Sequence, residues 1–196
     1  MESDLSGTGR TLLSPQYSPD GKYLVHMEQN GPSGAGVWAL PMTGETTREK
    51  KALAIVQAPT PQARIVQYRL SPDGRWLAYS STESGREEIY VTHFPSGAGR
   101  WQVSQNGGTF PVWRGDSKEI LFLGLDGIFQ AATANTKSGE FELDQVRSLF
   151  QMNYTSPLGA PYDVTPDGQR FVFATYPESV STPLVLVSNW TADLKK

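Results

Sequence analysis

The residues able to do chemistry in this sequence are few and scattered. There are two histidines, His26 and His93, and no cysteine. Without thiolates, two distant histidines do not make a zinc site. His26 shares an alignment column with Tyr79, Phe122 and Phe173, so a packing role is expected for it. No Gly-x-Ser-x-Gly elbow occurs, so an α/β-hydrolase nucleophile is not encoded. Asp126-Gly127 lacks the alternating carboxylates of a calcium loop and reads as a hairpin turn. Arg114-Gly115-Asp116 spells an adhesion tripeptide but falls where a repeat requires a turn. Asn153-Tyr154-Thr155 and Asn189-Trp190-Thr191 fit the glycosylation pattern, and the second lies in or beside a strand. No catalytic residue, metal ligand or cofactor is assigned, and the chain is expected not to be an enzyme.

The scaffold must then carry the function. The chain has 196 residues and a formal charge of −3. That size allows a self-sufficient core, and that charge gives no basic footprint for nucleic acid. Apolar runs such as Leu184-Val185-Leu186-Val187 fall far short of the roughly 20 residues of a membrane span, so no membrane insertion is expected. Met1-Glu2-Ser3-Asp4 is acidic and polar and does not read as a signal peptide. Nineteen glycines and fourteen prolines fit many tight turns.

Those turns repeat. Ser18-Pro19-Asp20-Gly21 recurs as Ser71-Pro72-Asp73-Gly74 and Thr165-Pro166-Asp167-Gly168, with a worn copy at Arg114-Gly115-Asp116-Ser117. The aspartates lie 53, 43 and 51 positions apart, the period of a propeller blade. Proline presets the turn, aspartate accepts local backbone bonds, and glycine takes the left-handed position. After each turn an apolar column follows (Leu24, Leu77, Ile120, Phe171), then a second two places on (His26, Tyr79, Phe122, Phe173). Spacing of two is the buried face of a strand. A further strand follows at Val37-Trp38, Ile89-Tyr90, Ile128-Phe129 and Leu184-Val185. A fourth reads at 52–57, 100–104 and 145–150. Residues 140–150 come nearest to helical spacing, yet Phe-x-Leu there suits a strand. The fold expected is all-β: a β-propeller of four four-stranded blades at about 15–57, 65–104, 109–150 and 160–190. Gly9–Ser14 matches Gly99–Ser104, so 9–14 is expected to complete the last blade as its outer strand, paired with 183–189. The same strand count fits a closed four-bladed ring, a fragment of a larger propeller, or half of one completed by a homodimer through blade edges.

Ser-Pro-Asp-Gly-Lys/Arg followed by aromatic–aliphatic alternation and Glu88-Ile89-Tyr90-Val91 resembles the TolB-like propeller repeat over about residues 10–190. The tail from Ser188 to Lys196 resembles the end of the C-terminal propeller (sensor) region of bacterial serine/threonine protein kinases, although no kinase segment occurs here. These resemblances imply a bacterial, extracytoplasmic or periplasmic sensor or binding module with a protein or peptide partner, held on the loop face or in the central channel. Similar repeats gate serine peptidases of the prolyl oligopeptidase type, an alternative in which the hydrolase domain is absent from this chain.

Strand counting puts the second-to-third-strand loops (29–36, 81–87, 176–182) and the blade-to-blade loops (58–64, 105–109, 151–161) opposite the Ser-Pro-Asp-Gly turns. Loops on a rigid ring are where binding residues concentrate. The candidate binding residues on that face are Arg64, Arg86, Tyr154 and Glu178.

Overall fold

The computed structural model describes residues 12–31, 34–42, 51–136, 139–152, 162–174 and 184–188. All its regular elements are strands, in four antiparallel sheets of consecutive strands. The first holds β1 (Leu12–Tyr17), β2 (Tyr23–Gly31), β3 (Gly34–Pro41) and β4 (Leu53–Gln57); the second β5 (Ile65–Leu70), β6 (Trp76–Ser81), β7 (Glu88–His93) and β8 (Trp101–Gln102). The third holds β9 (Thr109–Trp113), β10 (Glu119–Leu123), β11 (Ile128–Asn135) and β12 (Glu142–Gln151), and the fourth β13 (Tyr162–Val164), β14 (Arg170–Ala174) and β15 (Leu184–Ser188). The segment nearest to helical spacing is thus the strand β12, paired along its length with β11.

The turns explain the sheets. Ser18 donates to Asp20 Oδ1 at 2.6 Å, that oxygen accepts from the Lys22 amide at 3.1 Å, and the Ser18 hydroxyl accepts from the Tyr23 amide at 3.0 Å. Ser71 and Asp73 repeat the pattern. In the worn copy Arg114 replaces serine and grips both Asp116 oxygens at 2.9 Å, while Ser117 takes the glycine position at φ 60°. The adhesion tripeptide is therefore closed on itself, and Gly115 packs on Pro166, whose carbonyl accepts its amide at 2.9 Å.

These bonds favour ionised carboxylates. The Ser18 hydroxyl and Lys22 amide hold Asp20 down to about 2; Thr165 first, then the Gln169 amide, lowers Asp167; Ser71 and Arg75 outweigh burial at Asp73. A lowered folded pKa contributes stability that is complete above the unfolded value near 4 and is lost as pH falls through the folded value. Thermal melting between pH 4 and 2 should show a falling midpoint, and the drop should flatten when Asp20, Asp73 and Asp167 are changed together to Asn. A midpoint equally pH-dependent in the triple variant would refute this origin.

Buried apolar side chains from the strands fill three cores between consecutive sheets. Val25, Met27, Val37, Tyr68, Leu77 and Tyr79 join the first to the second sheet. Trp76, Ile89, Trp113, Ile120, Phe122 and Phe141 join the second to the third, and Leu121, Phe129, Tyr162, Phe171 and Phe173 the third to the fourth. Consecutive first strands are also bonded directly. The Tyr68 hydroxyl reaches the carbonyls of Ser14 at 2.5 Å and Val25 at 2.8 Å; Trp113 Nε1 donates to the Arg69 carbonyl at 3.3 Å; the Tyr162 hydroxyl reaches the carbonyls of Phe110 and, at 3.1 Å, Leu121. First strands thus converge on the inner edge and fourth strands lie outside. Ser14 (φ 52°) and Phe110 (φ 55°), each directly before a proline, are left-handed, a strained state for such residues. Each presents its carbonyl to a tyrosine of the next sheet.

One expectation is corrected. Leu12 and Leu13 pair with Glu28 and Met27, so they open the first sheet and do not complete the last. Asp20 follows Ser14 by six positions, whereas Asp116 follows Ser104 by twelve. Six positions leave room for one strand before the turn, and the inner strand, paired with β2, takes it. Residues 9–11 lie outside the described residues, as do 183 and 189. Fifteen strands are seen among the described residues, and the fourth sheet has three of them.

Candidate functional site

On the face opposite the turns, the residues expected to bind separate into two kinds. Arg64 leads into β5. Its backbone is fixed by Thr82, whose hydroxyl accepts the Arg64 amide at 2.9 Å and whose amide donates to the Arg64 carbonyl at 3.0 Å. The Arg64 side chain stands exposed and has no ion-pair partner among the described residues. Arg86, in the 82–87 loop, is committed. Its Nε donates to Glu88 Oε1 at 2.6 Å, and its Nη2 donates to the Gln105 carbonyl. Tyr154 and Glu178 lie outside the described residues.

Glu88 explains why Arg86 is held. It opens β7, and its side chain is 1% exposed. Oε1 also accepts from the Gly107 amide at 3.0 Å, and Oε2 accepts from the Ser104 hydroxyl. Ser104 in turn accepts from the Ile89 amide at 2.8 Å, and Thr109 donates to Glu87. The buried carboxylate thereby ties the 82–87 loop to the 105–108 connection. Sequence reading missed this role, although Glu88 stood inside the quoted repeat.

Leu125 was also missed. It sits at the β10–β11 hairpin, 54% exposed, and covers Gly107 so closely that a Cβ there would lie 2.6 Å from its Cδ1. Asp126-Gly127 is the expected turn: Asp126 Oδ1 accepts from the Ile128 amide at 3.0 Å and Gly127 has φ 79°. The face therefore offers an apolar side chain on a pinned loop, with an uncommitted cation at Arg64.

Neither histidine joins it. His26 Nε2 lies 3.3 Å from Glu28 on the buried first sheet, and His93 stacks on Trp76 at 4.2 Å between centroids. Among the described residues no group of three His, Asp or Glu is placed to hold a metal ion. A cavity of about 830 Å³ lies on the third sheet beside Glu119, which binds Arg114 at 3.0 Å and Arg147 at 2.7 Å. Those charges are spent on one another.

No protein-family model matches the chain, and neither does any curated protein. Solved structures do. TolB from Acinetobacter baumannii is similar over 92% of this chain and 41% of its own, at 16% identity and TM-score 0.63. The fold is a TolB-like β-propeller. An oligogalacturonate lyase in complex with manganese matches at TM-score 0.65 and 16% identity, covering 91% of this chain and 48% of its own. A puromycin hydrolase matches at TM-score 0.62 and 17% identity, covering 92% and 27%. The chain thus spans between about a quarter and a half of the length of these structures. In this propeller the four sheets are blades and the converging first strands line the central channel.

Proposed function

We propose that this propeller is a binding module that takes a protein or peptide partner on its loop face. The observation that carries the reading is Leu125, exposed at a hairpin that packs on Gly107, in the connection tied down by the buried Glu88. A pre-organised apolar group ringed by polar residues is the form of a binding hot spot, since little order must be lost on contact. Arg64, on the same face, supplies a cation for partner orientation. The regulatory propeller of a bacterial signalling kinase is one setting in which such a module would act, in an extracytoplasmic compartment.

The test is selection of peptide ligands against the folded chain, followed by affinity measurement on variants. Leu125→Asp should weaken the selected peptides at least tenfold and Arg64→Glu about threefold, with thermal midpoints unchanged. Unchanged affinities in both would move the contact off this face. The puromycin hydrolase likeness favours a second reading, a substrate-gating propeller of a serine peptidase. In that case the loop face would bind a hydrolase domain, and Leu125→Asp would weaken that association instead.

A further inference from the structure

Among the described residues, Lys22, Arg75, Arg86, Arg100, Arg114 and Arg147 each have a carboxylate partner. Lys51, Arg64, Lys118 and Arg170 have no ion pair among the described residues and are exposed. Arg69 differs from both groups. It is half-buried on β5, a channel-lining strand, and no described carboxylate pairs with it. A partly desolvated guanidinium without a counter-ion is costly unless something bound compensates it.

Its donors are partly used. The Tyr68 carbonyl accepts from Nη1 at 3.1 Å. Gln67 is buried, and its amide oxygen, in the orientation its neighbours require, accepts from Nη2 at 3.2 Å and Nη1 at 3.3 Å. A guanidinium has five N–H groups. Gln67 takes the Nη1–Nη2 end and Tyr68 the remaining Nη1 hydrogen. One N–H on Nε and one on Nη2 are left, parallel on one edge, with no acceptor among the described residues. Burial raises the phenols of Tyr68 and Tyr162, and the Arg69 charge pulls both back, so its field reaches the fourth blade as well as its own strand. The spacing of a free side-on fork matches a planar carboxylate bidentately, and a tetrahedral anion less well.

We propose that Arg69, held open by Gln67, anchors a carboxylate entering the central channel, supplied by an acidic side chain or the C-terminus of a peptide. This rests on the reading of the chain as a peptide-binding module and adds a contact in the channel, towards the turn end of β5, to the one at the loop face.

The experiment titrates the folded chain with glutarate, following the Arg69 Nε–Hε resonance by NMR and the heat by calorimetry. Neutral glutaramide and inorganic phosphate are the comparison arms. Saturable binding of glutarate with a dissociation constant on the order of 1 mM is expected, with none for glutaramide and weaker binding for phosphate. Arg69→Lys keeps the charge and loses the fork; Gln67→Glu places a carboxylate against the guanidinium. Each should weaken glutarate at least tenfold, and the second does not depend on the first variant folding. No saturation by glutarate, equal affinity in both variants, or phosphate binding as tightly as glutarate would overturn the assignment. Full glutarate binding together with no effect of Leu125→Asp on selected peptides would instead sink the loop-face reading alone. Loss of glutarate binding with that effect intact would sink the Arg69 anchor alone.

Discussion

Phe129→Ala should lower stability by about 3–5 kcal/mol. Phe129 is fully buried on β11, and its ring lies within 4.7 Å to 5.6 Å, centroid to centroid, of Phe150, Tyr162, Phe171 and Phe173. Two of these rings come from β14 and one from β13, so the truncation empties the junction between the third and fourth blades. Edge-to-face contacts dominate there, and each adds about 0.5–1.5 kcal/mol beyond the buried area. Because blades contact mainly their neighbours, the fourth blade should loosen first. Denaturant unfolding should show the loss, and hydrogen exchange should show β13–β15 amides losing protection before those of β5–β7. A loss below about 1 kcal/mol would mean that the junction collapses to fill the space.

Glu88→Ala should cost about 3 kcal/mol, because it strands buried donors on Ser104 and Gly107 and frees Arg86 at once. Its second effect is on function: the 105–108 connection loses its tether, Leu125 loses a fixed platform, and peptides selected against the loop face should bind at least tenfold more weakly. Arg86→Glu should be damaging for the same reason, since it sets a second carboxylate against a buried one. It is therefore not the neutral surface probe that its exposure suggests. Chemical denaturation alongside peptide affinity checks both variants. If stability falls and affinity does not, the tether is structural and plays no part in the contact.

The strands and turns were legible because their signals are local. Ser-Pro-Asp-Gly closes on itself through bonds between residues at most five apart, and the apolar columns at spacing two need only a pleated backbone. The misreading at 9–14 came from matching Gly-Arg and a distant serine while ignoring the distance to the turn. Arg64 was legible as a loop residue by strand counting. The commitment of Arg86 was not, because it depends on the burial of Glu88 and on Gln105, which the chain brings beside it only after folding. Leu125 and Arg69 were hidden for a related reason. A leucine at a hairpin and an arginine in a strand look ordinary until their neighbours show that one is uncovered and the other lacks a counter-ion. The prolines at 15 and 111 were visible, but the left-handed residues before them were not, since sequence rules steer such residues away from that conformation.

The tyrosine bonds at the inner edge alternate. Proline stands three places before the turn in the first and third blades, as Pro15 and Pro111, and tyrosine in the second and fourth, as Tyr68 and Tyr162. Odd blades offer a carbonyl, and even blades reach back for it. Modular engineering of this array of blades should therefore proceed in pairs. Excising the second and third blades together would bring Ser14 against Tyr162 and regenerate the same joint. Excising the second alone would set Ser14 against Pro111, with two left-handed carbonyls in succession and no phenol to receive the first.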